Sequence, residues 1–183
     1  MPVGGIVAGM ETVHTARVDS PIGTLRLAST RIGLAYVELP HANGSGFAGW
    51  VRRRAPGARV REGFAPIRAA AKQIREFLEG KRREFELQLD PRGTDFQRRV
   101  WDALREIPYG ETISYAELAA RVGRPRAMRA VGSANGANPL SLVVPCHRVV
   151  ASGGGLGGYG GGLELKQRLL ALEHAEPLRG ELL

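Results

Sequence analysis

The sequence predicts an α+β protein in two parts: a small antiparallel β-sheet with a covering helix, then a mostly helical region containing a helix-turn-helix. Three observations predict it. Between residues 11 and 39, short β-prone runs alternate with turns containing Gly or Pro, the pattern of an antiparallel meander. From residue 67 to 78, apolar side chains recur at helical spacing. Beyond residue 90, two capping-box tetrapeptides each precede an apolar helical stripe.

Residues 1–10 read as a flexible leader. Val13, Thr15 and Arg17 then alternate with His14, Ala16 and Val18, and residues 19–23 supply a turn. Leu25 and Leu27 flank Arg26, Arg31-Ile32-Gly33 turns the chain again, and a third run follows over residues 34–39. Residues 40–65 carry Gly, Pro and Arg without periodicity, and Arg52-Arg53-Arg54 reads as a solvated basic face. Pro66 opens an amphipathic helix with Ile67, Ala70, Ala71, Ile74, Phe77 and Leu78 on one side, and Gly80 ends it. Residues 84–89 alternate as a strand. Asp90-Pro91-Arg92-Gly93 marks a junction, dividing the chain into a leader at 1–10, an N-terminal α+β domain at 11–90 and a C-terminal domain at 91–183.

Thr94-Asp95-Phe96-Gln97 is a capping box, followed by the stripe Phe96, Val100, Trp101, Leu104 and Ile107. Ser114-Tyr115-Ala116-Glu117 is a second, leading into Leu118, Ala119 and Val122. Gly123-Arg124-Pro125 turns the chain into a third helix over residues 126–134. This order is that of a helix-turn-helix, but an ordinary packed helical pair shows it more often, so the pattern alone is a weak signal. The third helix carries the small residues Ala127, Ala130, Gly132, Ser133 and Ala134 around Arg129. Such a face suits tight helix packing, or a shallow surface seated in a narrow groove with one Arg projecting.

Composition bounds the function. At 183 residues and 43% hydrophobic content the chain is ordinary globular material. The 26 basic residues exceed the 18 acidic ones by 8, and all but Lys72, Lys81 and Lys166 are Arg. That balance permits a nucleic-acid partner without requiring one. No apolar run is long enough for a membrane helix, and the N-terminus lacks a basic signal-peptide region, so the expectation is a cytoplasmic protein with no membrane partner. One Cys excludes an internal disulfide and a Cys-rich zinc site. The four His show no metal-ligand spacing, so neither a metal nor a cofactor is expected.

That Cys lies in Val143-Val144-Pro145-Cys146-His147-Arg148-Val149-Val150. An isolated Cys after an apolar run is ordinarily a small buried hydrophobe. Attack by sulfur needs the thiolate, and His147 and Arg148 could supply a base and a positive charge. On a strand, neighbouring side chains point to opposite faces, so a direct Cys–His hydrogen bond would need a turn or a bridging water.

Pro145-Cys146-His147-Arg148-Val149 closely resembles the active-site motif of the O6-alkylguanine-DNA alkyltransferases, the methylated-DNA–protein-cysteine methyltransferases. The resemblance extends over residues 94–173. It includes the run Pro108-Tyr109-Gly110-Glu111-Thr112-Ile113-Ser114-Tyr115, then Arg129-Ala130-Val131-Gly132, Ala137-Asn138-Pro139, Gly158-Tyr159-Gly160-Gly161-Gly162-Leu163 and Lys166. Asp19-Ser20-Pro21-Ile22-Gly23 resembles part of the family's first domain. The resemblance implies a ribonuclease H-like N-terminal sheet and a winged helix-turn-helix C-terminal domain. It implies a monomer that binds double-stranded DNA carrying alkylated guanine through the minor groove and flips the damaged base into a pocket.

By the same resemblance Cys146 is the nucleophile and alkyl acceptor. Glu173, His147 and a water deprotonate it. Tyr115 aids base rotation and protonates the leaving guanine, and Asn138 braces the active-site turn. Arg129 is the finger that fills the gap left by the flipped base, on a DNA-facing helix with Ala127, Ala130, Gly132, Ser133 and Asn135. Backbone groups of Cys146 and Val149 read the guanine amino group, the N–H near Gly160 meets O6, and Lys166 supports the loop carrying Tyr159. Ser141 stands where some relatives have Pro, and Gly160 where many have Ser, which predicts a roomier pocket wall. The implied activity is repair of O6-alkylguanine and O4-alkylthymine, once per molecule. The alternative is a non-catalytic alkyltransferase-like lesion sensor. Such proteins typically carry Trp in place of the Cys, so Cys146 favours the enzyme.

Overall fold

The computed structural model describes residues 10–42 and 45–174. The expected leader therefore lies outside the described residues except for Met10, and residues 175–183 lie outside them as well.

The α+β class holds. The meander forms β1 (Thr12–Ser20), β2 (Gly23–Ser29) and β3 (Leu34–Glu38), paired antiparallel in sequence order. Ser20 pairs with Gly23, so Pro21 and Ile22 are the whole hairpin loop. Gly23 closes it at φ 112°, where an L side chain would be strained.

Residues 40–65 hold two elements their sequence conceals: α1 (Gly46–Arg54) and β4 (Arg59–Glu62). β4 pairs parallel to β1, giving the order β3-β2-β1-β4. The sheet is thus mixed rather than wholly antiparallel. All four β4 residues are exposed, so no hydrophobic alternation announces them. The strand expected at 84–89 is corrected as well. Phe85, Leu87 and Leu89 do alternate with exposed neighbours, but among the described residues their ladder contact is a single bridge between Leu34 and Leu89. Alternation reports an extended chain with one covered face, whereas a strand also requires a partner along its edge.

The sheet buries both faces. On one, Ile67, Ala70, Ile74, Phe77 and Leu78 pack in the same core as Leu25, Leu27 and Leu34. They come from α2 (Arg68–Leu78) and the short 3-10 turn (Ala65–Ile67) that carries Pro66. On the other, Phe47 and Trp50 of α1 stack at 6.1 Å over Val13, Ala28 and Ala35.

The C-terminal part comprises α3 (Asp95–Arg105), β5 (Ile113–Ser114), α4 (Tyr115–Arg121), α5 (Met128–Gly136), a 3-10 turn (Cys146–Arg148), β6 (Val149–Val150) and α6 (Leu163–Leu172). Both expected capping boxes are present, Thr94 with Gln97 and Ser114 with Glu117. Trp101, 1% exposed, donates its indole N–H to the Ala134 carbonyl at 2.8 Å and so joins α3 to α5.

The sheet meets this part along β3. The Val37 N–H donates to the Pro139 carbonyl at 2.8 Å, and Val37 bridges Leu140. Farther along, the Leu34 N–H donates to Gln88 and its carbonyl accepts from Asp90. An edge strand left bare would expose a row of unpaired backbone groups. Here that row positions the segment leading to Cys146, and one hydrophobic core runs from Leu25 through Val100 to Cys146.

Replacing a capping Thr or Ser leaves a helix-start N–H without its acceptor. Thr94→Ala is expected to lower the unfolding free energy by about 1 kcal/mol, read as a lower urea midpoint at unchanged slope. An unchanged midpoint would show that the cap contributes nothing to stability.

Candidate active site

The turn that presents Cys146 follows from Pro145. At φ −81° and ψ 64° this proline forms an inverse γ-turn, with the Cys146 N–H donating to the Val144 carbonyl at 2.8 Å. The chain then makes one 3-10 turn, closed by the Arg148 N–H on the Pro145 carbonyl at 3.0 Å. Cys146 and His147 therefore sit on a turn, and the opposite-face rule for a strand does not govern them.

Three braces hold the turn. Asn138 donates from Nδ2 to the Val144 carbonyl at 2.8 Å and accepts from the Leu140 N–H at 2.9 Å. Between them Leu142 adopts φ 76°, an uncommon left-handed conformation for a side chain of its size, while being buried. Beyond the turn β6 pairs with β5, Val149 opposite Ile113 and Val150 opposite Ser114. Because Ser114 caps α4, this two-residue ladder sets Tyr115, the first residue of α4, beside Cys146.

Behind the sulfur lies a buried charge cluster. His147 Nε2 is 2.8 Å from Glu173 Oε1, with both side chains fully buried. Arg148 grips the same carboxylate from Nε at 2.8 Å and Nη2 at 3.0 Å, and donates from Nη1 to the Ile107 carbonyl at 2.6 Å. The Gly110 N–H adds a bond to Glu173 Oε2 at 3.2 Å. A carboxylate only accepts, so Nε2 carries the imidazole proton and Nδ1 keeps its lone pair. That Nδ1 is buried and has no partner among the described residues.

The titration of the cluster follows from these contacts. Burial pushes the Glu173 carboxyl up, but hydrogen bonds from His147 and Arg148 and their charges outweigh it and bring it to about 2. Burial lowers the His147 imidazole, against the pull of Glu173 and with the help of Arg148 and Lys166, so the ring is neutral at pH 7. Burial raises the Cys146 thiol, while side-chain hydrogen bonding from Asn138 and Ser141 and the Lys166 charge oppose it. The resting sulfur is a protonated thiol beside a neutral base.

Cys146 opens onto a cavity of about 220 Å³ that brings together eight of the expected residues: Tyr115, Gly132, Asn135, Asn138, Ser141, Cys146, Tyr159 and Gly160. Drug-sized pockets run to roughly 300–1,000 Å³, so this one suits a single compact group. Tyr115 reaches the Gly158 carbonyl from its hydroxyl at 3.4 Å. Tyr159 buries a hydroxyl that has no partner among the described residues. At Gly160 an added Cβ would meet nothing within 4 Å, as expected of a roomier wall.

Val149 and Lys166 stand outside the cavity wall. Lys166 is wholly buried and donates its ammonium to the carbonyls of Val149 at 2.6 Å, Leu156 and Gly158. It staples the Gly-rich loop to the strand behind Cys146, and burial brings its pKa down to about 8. Arg129, Ala130 and Ser133 lie on the exposed face of α5, with Ala127 half-buried at its start.

Two residues escaped the sequence reading. Arg148 looked like a neighbouring charge for the sulfur, but it belongs to Glu173. An Arg amid apolar residues that cannot reach water was the available signal. Gly157 has φ 65°, and a Cβ there would come within 2.9 Å of the Tyr115 ring. Among so many glycines, nothing in the sequence singles it out.

Comparison with known proteins places this geometry. The family model for the 6-O-methylguanine DNA methyltransferase DNA-binding domain matches residues 95–175. The methylated-DNA–protein-cysteine methyltransferase of Methanosarcina barkeri is 45% identical over 156 residues, covering 85% of this chain and 94% of its own length. That of Mycolicibacterium paratuberculosis is 47% identical over 157 residues, covering 85% and 89%. The crystal structure of Mycobacterium tuberculosis OGT in complex with DNA superposes with a TM-score of 0.76 at 42% identity, over 89% of this chain and 92% of that one. Agreement over nearly the whole length of both chains makes this chain a member of the methylated-DNA–protein-cysteine methyltransferase family.

Proposed function

We propose that this chain repairs DNA by direct reversal, moving the alkyl group from O6-alkylguanine, and from O4-alkylthymine, in duplex DNA onto its own Cys146. The observation that carries the reading is the buried thiol beside a neutral imidazole whose Nε2 is held by Glu173 and whose Nδ1 has no protein partner. The crystal structure of a relative in complex with DNA supports a DNA partner.

The exposed face of α5, with Arg129 projecting and Ala130, Gly132 and Ser133 small, would lie in the minor groove, only ~6 Å wide. Ala127 stands at the start of that face, whereas Asn135, which the resemblance puts on it, is buried and lines the Cys146 cavity instead. Arg129 takes the place of the flipped base, and Tyr115 guides the base into the cavity. The Cys146 carbonyl accepts from the guanine amino group and the backbone at Gly160 meets O6, whereas the Val149 carbonyl, which the resemblance also gives that task, is taken by Lys166 outside the cavity wall.

The thiol passes its proton through a water to His147 Nδ1, and Glu173 stabilises the imidazolium that forms. Sulfur attacks the alkyl carbon, the carbon–O6 bond breaks, and its electron pair stays on the guanine, which takes a proton from the Tyr115 hydroxyl. Asn138 and Ser141 hold the sulfur, and Lys166 keeps Tyr159 against the pocket. The product is a thioether. A thioether is not hydrolysed by water under mild conditions, so each molecule acts once.

The reading takes the protein as a monomer in the cytoplasm, where its DNA lies. No helix among the described residues is long and apolar enough to cross a membrane. The division at residues 90 and 91 into a supporting sheet and a DNA-binding, alkyl-accepting part belongs to the same proposal.

Intact-protein mass after incubation with duplex O6-methylguanine is expected to rise by one methyl group, and Cys146→Ser is expected to abolish the gain. More than one equivalent repaired per molecule would defeat the single-use mechanism. Arg129→Ala is expected to slow transfer from duplex by an order of magnitude or more while leaving transfer from a free O6-alkylguanine base unchanged. Equal losses on both would contradict the finger role. Because burial lowers the His147 pKa, the base is deprotonated above its lowered value and lost only below it. The transfer rate should therefore hold as pH falls through 6.5, the ordinary imidazole value, and drop at lower pH. A loss centred at or above 6.5 would show that His147 is not the base.

A further inference from the structure

A second cavity, of about 320 Å³, lies next to the Cys146 pocket, between the N-terminal sheet and the end of α5. Gly136, Asn138, Ser141 and Gly160 line both. Two of these four are glycines, and a Cβ added at either would meet nothing within 4 Å. The partition between the two cavities is therefore low, with no packed side chain at either glycine.

The far wall is basic. It carries Arg53, Arg54 and Arg92 against one carboxylate, Glu38. Arg92 is committed, because it pairs with Glu11 and, at 2.8 Å, with Asp90. Glu38 is committed too, accepting from the Phe47 N–H at 2.8 Å and lying 3.8 Å from Arg26. The other two guanidiniums meet only neutral acceptors among the described residues. Arg53 donates to the Ser45 hydroxyl and Arg54 to the Gln97 side-chain carbonyl, each at 2.8 Å. Trp50, also in this wall, buries an indole N–H that has no acceptor among the described residues. The chamber thus has an excess of donors and two uncompensated positive charges, a field that concentrates anions. A guanidinium fork matches the two oxygens of a carboxylate.

We infer that this chamber receives the far end of O6 substituents too long for the Cys146 pocket, and that it favours ends bearing a carboxylate. The inference rests on the alkyl transfer proposed above and extends its substrate class. The bond chemistry is unchanged. The sulfur–carbon bond forms at the first carbon of the substituent, the carbon–O6 bond breaks, and the whole chain with its intact carboxylate moves onto Cys146. Arg53 and Arg54 act on binding and take no part in the displacement.

The test uses the full chain and duplexes carrying O6-methylguanine or O6-alkylguanines of one chain length, ended by a carboxylate or by its neutral isostere, a carboxamide. Transfer rates are read from intact-protein mass. With two partly exposed ion pairs of modest strength, the carboxylate is expected to transfer about fivefold faster than the carboxamide. Arg53→Gln, at an exposed side chain, should reduce that ratio, and Arg53→Gln with Arg54→Gln should bring it near one, with methyl transfer unchanged throughout. A ratio near one in the parent, or one that survives the double substitution, would overturn the inference. So would slower methyl transfer and weaker binding of undamaged duplex in the double variant, which would assign the arginines to backbone phosphates instead. Absence of methyl transfer by the parent would refute the underlying activity, whereas methyl transfer without a carboxylate preference refutes this inference alone.

Discussion

The site depends on one buried carboxylate. Glu173 sits at the end of α6 and gathers His147 and Arg148 from the turn and the Gly110 N–H from the loop after α3. Tyr109 reinforces the junction by donating to the Leu172 carbonyl at 3.0 Å. Two chain segments distant in sequence thus converge on the two oxygens of a third. Burying a lone carboxylate would be prohibitive, and partial pairing would leave an unmatched charge, so the cluster is stable only when complete. Completion also fixes the imidazole tautomer, and with it the side of the ring that can take a proton.

The same burial that strengthens this cluster keeps the sulfur quiet. A thiol raised by desolvation is a poor nucleophile until its proton has somewhere to go. Asn138, Ser141 and Lys166 each favour the thiolate, and burial outweighs them at rest. The balance suits a group that can be used once: a sulfur ionised at rest would be open to oxidants and to stray electrophiles. In the proposed transfer, reactivity follows from the geometry of a bound substrate and a neutral His147, rather than from a permanently charged sulfur.

Much of this was legible in the sequence because it is written locally. Thr94 with Gln97 and Ser114 with Glu117 mark helix starts by side chains that bond within four residues, and both boxes formed. Pro145 restricts its own φ and so prepares the turn at Cys146. What stayed hidden depends on distant partners. β4 has no buried face of its own and exists because β1 offers it an edge. Residues 84–89 show the reverse case, a strand-like alternation with one bridge and no ladder. Arg148 is adjacent to His147 in the chain, yet its role is set by Glu173, 25 residues away.

The Gly-rich loop over Cys146 carries glycines of two kinds. Gly157 lies against the Tyr115 ring at φ 65°, and a Cβ at Gly161 would come within 2.8 Å of Leu39 and Leu165. These two are fixed by the fold. Gly158 and Gly160 have open space where a side chain would go and no left-handed φ to forbid one. Mutation at those positions can reshape the mouth of the pocket while the scaffold that aligns sulfur, imidazole and carboxylate stays as it is. The loop thereby separates what selection must conserve from what it can explore, and lesion preference can drift among descendants of this protein by single amino-acid steps.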